Sequence, residues 1–128
     1  MTRPRSLARD QSGTAIIEFA IALPVLILFI WGIFQVGIAL QASAGMQNAL
    51  GEGARLATLY PKRSNSEIVQ KINAKVFGTG IGVFSVAPVV ENADYKVLSV
   101  TFTMTPNFLF FNGPPISMTR DKRVYTAT

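Results

Sequence analysis

The sequence predicts an α+β protein in which a long N-terminal membrane helix is followed by a short helix packed on a small antiparallel sheet. Three observations predict this architecture. Residues 14–42 carry one ionisable side chain, Glu18, in an otherwise uncharged and largely apolar run. Residues 64–78 repeat apolar side chains every four positions, as on one face of a helix. Beyond Gly82, apolar and polar side chains alternate with the period of two that is typical of strands.

The apolar run is long enough to cross a bilayer. As a helix, residues 14–42 would extend about 40 Å, compared with about 30 Å for the hydrocarbon core. Basic residues upstream of the run favour a cytoplasmic N-terminus and an external C-terminal part. We therefore divide the chain into a basic leader at 1–13, a transmembrane helix at 14–42 and an extracytoplasmic helix-plus-sheet domain at 43–128. The basic residues of the leader are Arg3, Arg5 and Arg9.

Two helices are expected around the end of the membrane segment. The first continues towards Pro61, which either ends it or closely follows its end. The second begins at a capping box formed by Ser64 and Glu67 and is predicted to stop at Gly78 and Gly80. Three glycines weaken the expectation that the first helix is an unbroken rod: Gly45, Gly51 and Gly53.

Three stretches are predicted to be strands: "VFSVAPVV", "YKVLSVTFTM" and "PISMTRDKRVYT". In the last stretch, Ile116, Met118 and Val124 are core candidates, and the charged run from Arg120 to Arg123 is expected at an exposed edge. The middle stretch should present one alternate set of side chains to a single face of the sheet: Lys96, Leu98, Val100, Phe102 and Met104.

The loop "TPNFLFFNGPP" between the last two strands carries three phenylalanines, Phe108, Phe110 and Phe111. We expect these rings to fold back onto the core between the helices and the sheet. An exposed loop that binds a partner is the alternative.

Three hypotheses account for the N-terminal region. It is a plain signal-anchor helix, a secretory signal peptide cleaved after Ala42-Ser43-Ala44, or a prepilin-type leader. A secretory signal usually has an apolar region of about 7–15 residues, and the run here is far longer. The prepilin hypothesis explains more residues, because it needs a basic leader ending in glycine, here Gly13, and a glutamate five positions later, here Glu18.

Both residues have a physical rationale under that hypothesis. Gly13 relaxes the backbone, so that the chain can enter an intramembrane peptidase in an extended form. Cleavage would create an α-amine on Thr14, about 6 Å along the helix from Glu18. A carboxylate inside a membrane is costly, and pairing with that amine, on the same or a neighbouring subunit, would offset the cost and set the register between subunits.

In its N-terminal half the sequence resembles the TadE-like family, which comprises minor pilins or pseudopilins of tight-adherence (Flp-type) pilus systems. The resemblance lies in "GTAIIEFAIALPVLILFIWGIFQVG" and "QNALGEGARLAT", and is loose in the distal half. It implies a pilin-like fold, an inner-membrane location with a periplasmic domain, leader removal by a prepilin peptidase, and a role in a type IV-class pilus for cell adhesion. The residues that carry the resemblance are Gly13, Glu18, Phe19, Pro24, Ala49, Ala54, Arg55 and Ala57.

The resemblance also implies partners. These are the prepilin peptidase, the inner-membrane lipid and other pilin-like subunits, namely TadF-like and TadG-like proteins and the Flp major pilin. TadF-like proteins share the N-terminal signature, so a TadF-like role stays open, whereas TadG-like chains usually carry a larger distal domain.

Several helix residues are candidates for contacts between subunits. Small residues at Gly32 and Gly37 would let another pilin-like helix approach closely, and we expect Ala49, Ala54 and Arg55 to extend this packing. Pro24 either bends the helix as subunits leave the bilayer or is a tolerated membrane proline.

Composition argues against an enzyme, a metal site and a nucleic-acid partner. The 128 residues include no cysteine and no histidine, so the usual neutral-pH base and the commonest metal ligand are missing. Serines and threonines lack an identifiable base, and no cofactor motif is present. Of the net charge of +5, a large part comes from the leader, which indicates a cytoplasmic flank rather than a nucleic-acid footprint.

Overall fold

The computed structural model describes residues 12–78 and 80–125. The leader arginines lie outside the described residues. The described residues form two helices followed by six strands, and the predicted α+β arrangement is confirmed. In chain order the elements are α1 Ser12–Ala57, α2 Asn65–Lys75, β1 Val83–Val86, β2 Val90–Glu91, β3 Tyr95–Met104, β4 Asn107–Phe108, β5 Phe111–Asn112 and β6 Ile116–Tyr125.

Helix α1 is a single rod of 46 residues, which corresponds to about 69 Å at 1.5 Å per residue. It runs through the boundary expected at residues 42 and 43, so the membrane segment and the first element of the external domain are one helix. Pro24 lies inside it without ending it. The helix ends at Ala57, and Pro61 follows closely, as predicted.

Helix α2 begins as the sequence predicts and ends earlier. The amide of Glu67 donates to Ser64 Oγ at 3.3 Å, and the amide of Ser64 donates to Glu67 Oε2 at 3.0 Å, which completes the capping box. The predicted stop at Gly78 is wrong, because the cap is Val76, whose backbone is extended. The chain leaves the helix there, and the backbone of Phe77 lies against Gly45 of α1.

The main sheet is built around β3. Strand β6 pairs with β3 over ten residues, from Tyr95 opposite Tyr125 to Met104 opposite Ile116. Strands β1 and β2 pair with the other edge of β3, and every pair is antiparallel. The predicted alternation along β3 is confirmed, since its even-numbered residues from Lys96 to Met104 are buried and the intervening ones are not.

The core lies between this face of β3 and the C-terminal half of α1, with α2 at its side. Burying a large apolar side chain contributes about 1.5–3 kcal/mol, so the fully enclosed residues hold the helix and sheet together. The largest of them are Met46, Ile68, Ile72, Leu98, Val100 and Phe102.

The last strand meets its prediction in part. Val124 is buried, Met118 packs against the core, and the four residues Arg120 to Arg123 are exposed on an edge strand, as expected. Ile116 as a core residue is wrong, because 44% of it is exposed. It faces the helix side opposite Met104, but α1 and the end of β6 leave an open cleft there.

One buried charge links the sheet to α2. Lys96 is 3% exposed, and its Nζ donates to Asn65 Oδ1 at 2.7 Å and lies 3.2 Å from Glu91 Oε1. Asn65 Nδ2 also donates to Glu91 Oε2 at 3.0 Å. The hydrogen bond from Asn65, and then the hydrogen bond and charge of Lys96, lower the pKa of Glu91 below its usual value.

We expect this network to make stability depend on pH. Because the pKa of Glu91 is lowered on folding, its contribution is complete above the unfolded value of about 4.3 and is lost as the pH falls through the folded value. The difference in unfolding free energy between the native chain and Glu91→Gln should therefore shrink between about pH 7 and pH 3. Glu67, whose pKa is also lowered through its hydrogen bonds to Ser64, cancels in this comparison.

Chemical unfolding of both proteins at each pH measures the difference. A difference that stays constant or grows on acidification would show that the Glu91 carboxylate does not stabilise the fold. Glu52→Gln is a matched control, because the one ion pair of Glu52 within the described residues is with Arg55, across 3.9 Å on the surface of α1.

Candidate functional site

The N-terminal half of α1 is the candidate site, and it holds the predicted cleavage point. The described residues are helical from Ser12 onwards, so the bond between Gly13 and Thr14 lies within helical chain. The sequence predicts a helix that starts just after Gly13. Gly13 and Thr14 are both exposed, and a side chain added at Gly13 would meet nothing within 4 Å.

Glu18 lies one turn further along the same side of the helix. Four residues separate it from Thr14, which places the two on one face about 6 Å apart along the axis. Its side chain is exposed, and within residues 12–78 and 80–125 no ion pair or side-chain hydrogen bond reaches it. Glutamate side chains on helices lean towards the N-terminus, so the carboxylate lies on the side where Thr14 begins.

An apolar strip leads away from Glu18 along the helix. Its members recur three and four residues apart, so they form one continuous face. Glu18 is the sole ionisable group between Gly13 and Glu52 and stands at one end of this strip. The strip consists of Ile21, Ala22, Val25, Leu26, Phe29, Ile30 and Ile33.

The other predicted residues in the N-terminal half of α1 are also not covered by the folded domain. Phe19 is 64% exposed and Pro24 is exposed, and neither belongs to the core. From Gly13 to Ile27 every residue is exposed, which leaves a helix surface for lipid or for other subunits. Gly13–Ala57 includes a segment long and apolar enough to cross a membrane, so α1 has the properties of a membrane anchor.

The small residues of α1 divide into two groups. Gly32 and Gly37 have nothing within 4 Å of an added side chain, so they remain open to a neighbouring helix, as predicted candidates for packing. Ala49 and Ala54 are 0% and 8% exposed inside the chain's own core. These two therefore pack within the chain itself, against α2 and the sheet, and not on a surface open to another subunit.

Two further glycines of α1 take part in that internal packing. A Cβ at Gly45 would lie 2.0 Å from the carbonyl oxygen of Phe77, and one at Gly53 would lie 2.5 Å from Ile72 Cγ1. Gly45 and Gly53, two of the three glycines that weakened the prediction of a continuous helix, therefore allow α2 and the residue Phe77 after it to approach α1. Arg55 is exposed, and among residues 12–78 and 80–125 its one ion pair is with Glu52, at 3.9 Å.

A short hairpin beside α1 is a feature that sequence reasoning missed. Strands β4 and β5 pair through Asn107 with Asn112 and Phe108 with Phe111. The carbonyl of Asn107 accepts hydrogen bonds from Trp31 Nε1 and from Gln35 Nε2, the latter at 3.0 Å. Trp31 and Gln35 are four residues apart on one face of α1. Two side chains with N–H donors, four residues apart in an apolar run, were the sequence signal that this face of the helix contacts a polar group.

The expectation that the hairpin phenylalanines fold into the core is wrong. Phe108 is half-buried against α1, but Phe110 and Phe111 are 76% and 58% exposed. Two polar contacts instead tie this end of the domain to the helix. Besides the Asn107 carbonyl, Arg120 donates from Nε and Nη2 to Ser43 Oγ at 3.3 and 3.2 Å.

One family of known proteins matches part of the chain. Residues 13–55 of the chain match the family described as TadE-like protein. No curated protein and no solved structure matches the chain. The match lies within α1, from Gly13 to Arg55, and it confirms the resemblance indicated by the sequence. The family suggests a role in pilus assembly.

Proposed function

We propose that this chain, TadE-like over residues 13–55, is a minor pilin or pseudopilin that a prepilin peptidase processes and that assembles through α1. The observation that carries the proposal is Glu18, five residues after Gly13 and the sole ionisable side chain between Gly13 and Glu52, in the exposed apolar part of α1. The folded domain covers the C-terminal part of α1 and leaves the N-terminal part exposed. This supports separate roles for the two parts, one in the fold and one in assembly.

Processing would consist of hydrolysis of the amide bond between Gly13 and Thr14. Water adds across the bond, leaving a carboxylate on the departing leader and an α-ammonium group on Thr14. The new cation forms about 6 Å along the axis from Glu18 and on the same face. In a low dielectric the two charges stabilise each other within one subunit or between neighbours.

Assembly would use the surface that the domain leaves open. The apolar strip behind Glu18, with Phe19 beside it and the open Gly32 and Gly37, offers close contact to helices of pilin-like neighbours. We propose TadF-like and TadG-like proteins and the Flp major pilin as these partners. The orientation that suits the leader arginines puts the N-terminus in the cytoplasm and the sheet domain in the periplasm.

An unprocessed single-pass anchor that presents a periplasmic binding domain is the second candidate. The exposed apolar helix and the folded domain support it equally well. A domain secreted after cleavage at Ala44 is less compatible with the fold, because that bond lies inside α1 between the buried residues Ala42 and Met46. Cleavage there would remove Ile38 and Ala42 from the core.

Gly13→Ile tests the processing step. A β-branched residue at this position resists the extended, unwound form that a peptidase needs and fills the space next to the bond. We expect the variant to accumulate at the mass of the unprocessed chain, while the native protein loses its leader. Gly37→Ile, a second exposed glycine of α1, is the matched control and should be processed normally.

Whole-protein mass spectrometry of membrane extracts measures both variants. Processing of Gly13→Ile at the native rate would remove this glycine from the role assigned to it. Full-length masses for the native chain and for both variants, each matching its own uncleaved sequence, would favour the simple anchor.

A further inference from the structure

We propose that the β4–β5 hairpin inserts its aromatic tip into the outer interface of the membrane beside α1 and so fixes the domain on the bilayer. The inference rests on α1 being a membrane anchor. It concerns Leu109, Phe110 and Phe111, which the assembly helix does not use.

The hairpin lies along the apolar part of the helix. Phe108 and Phe111 line one cleft with residues of α1 from Val25 to Val36, so the hairpin flanks the helix over part of its apolar length. The side chains of Val25 and Phe29 are exposed to the surroundings of the anchor. A hairpin beside them therefore shares their environment.

The length of the free helix sets the depth of the hairpin. The 18 residues from Gly13 to Ile30 extend about 27 Å, close to the thickness of about 30 Å of the hydrocarbon core. The next residue is Trp31, so this ring falls at the outer boundary, where tryptophans are enriched. Its hydrogen bond to the Asn107 carbonyl holds the base of the hairpin at the same level.

The chemistry of the tip suits an interface rather than water. Leu109, Phe110 and Phe111 are 53%, 76% and 58% exposed, and residues 105–115 contain no charged side chain. Apolar side chains of this kind lie about 5–10 Å deep at the boundary between headgroups and acyl chains. Of these three side chains, Phe111 adjoins the exposed apolar surface of α1. We therefore infer that the three contact the same lipid as the anchor.

The backbone of the hairpin is prepared for such a position. Unpaired amides and carbonyls are costly in an apolar medium. Here Phe108 pairs with Phe111, the amide of Gly113 donates to the Pro106 carbonyl at 2.7 Å, and the Asn107 carbonyl accepts from α1. These backbone groups at the base of the hairpin are thus satisfied before it meets lipid.

Nitroxide labels on single cysteines can measure the depth of the tip, because the native chain has no cysteine. The full chain is labelled at Phe110→Cys, at Phe29→Cys in the anchor and at Tyr60→Cys, which is 97% exposed. It is then placed in vesicles of phosphatidylethanolamine and phosphatidylglycerol. Collision rates with oxygen, which concentrates in lipid, and with a water-soluble nickel chelate give the depth.

We expect residues 29 and 110 to favour oxygen and residue 60 to favour nickel. In the Leu109→Ser, Phe111→Ser background the label at residue 110 should shift towards nickel, while the label at residue 29 stays unchanged. The comparison with this doubly substituted background separates insertion of the hairpin tip from insertion of the helix.

Three results would overturn the inference. A label at residue 110 as accessible to nickel as that at residue 60 would place the tip in water. Protection from both reagents would show that a protein, such as a second copy of the chain, covers it. A label at residue 29 that favours nickel would refute the anchor itself, and with it the premise of the hairpin's position.

Discussion

Glu18→Ala is expected to abolish or severely impair pilus formation while leaving removal of the leader largely intact. The substitution removes the carboxylate but preserves the exposed Gly13 and Thr14 and the apolar strip. The α-ammonium of Thr14 would then enter an apolar helix bundle without a partner. Breaking a buried ion pair costs about 3–5 kcal/mol, which is roughly a hundred-fold or more in an association constant.

Sheared surface fractions and electron microscopy measure piliation, and the mass of the membrane-bound subunit measures processing. Glu52→Ala is the matched control, because Glu52 lies on the same helix and its one ion pair in the described part of the chain is with Arg55 at the surface. Normal piliation in the Glu18→Ala strain would mean that the carboxylate has no part in assembly. Loss of leader removal would instead assign it to recognition by the peptidase.

Gly45→Ala should be the most damaging small substitution in the external domain. Its Cβ would lie 2.0 Å from the backbone oxygen of Phe77, so α1 and the chain after α2 must separate. Overpacking of this kind costs about 1–3 kcal/mol, and the gain in helix propensity recovers only about 1 kcal/mol. Because the obstacle is backbone, we expect the upper part of that range and a melting temperature lower by about 10 °C.

Gly51→Ala is the control for this prediction. Gly51 lies on the same helix, and an added Cβ would meet nothing within 4 Å, so alanine should stabilise by about 0.5–1 kcal/mol. Thermal unfolding of the full chain in detergent, followed by circular dichroism, compares the two. Equal melting temperatures would show that the approach of Phe77 to α1 is not required for the fold.

Local patterns predicted much of the fold. The capping box of Ser64 and Glu67 gave the start of α2, and the alternation from Tyr95 to Met104 gave the face and bounds of β3. Both signals depend on residues close in sequence, where propensity and periodicity act directly. The Glu18 position relative to Gly13 is equally local, which is why the candidate site was identifiable before its geometry.

The features that were missed depend on contacts distant in sequence. Helix α2 ends before Gly78 and Gly80, which gave a false signal for its end, and the Phe77 backbone that follows lies against Gly45 of α1. The hairpin is held by a hydrogen bond between Trp31 and Asn107, 76 positions apart. Its two-residue strands are too short to produce an alternating pattern of their own.

The N-terminal residue of the protein isolated from membranes tests the central claim most directly. Sequencing of the mature chain should begin at Thr14, with Gly13 absent, because the account places hydrolysis between these residues and assigns the new amine to Glu18. A chain that begins at Met1 or Thr2 would contradict the account and leave an unprocessed anchor. A chain that begins at Gly45 would contradict it in favour of a secreted domain.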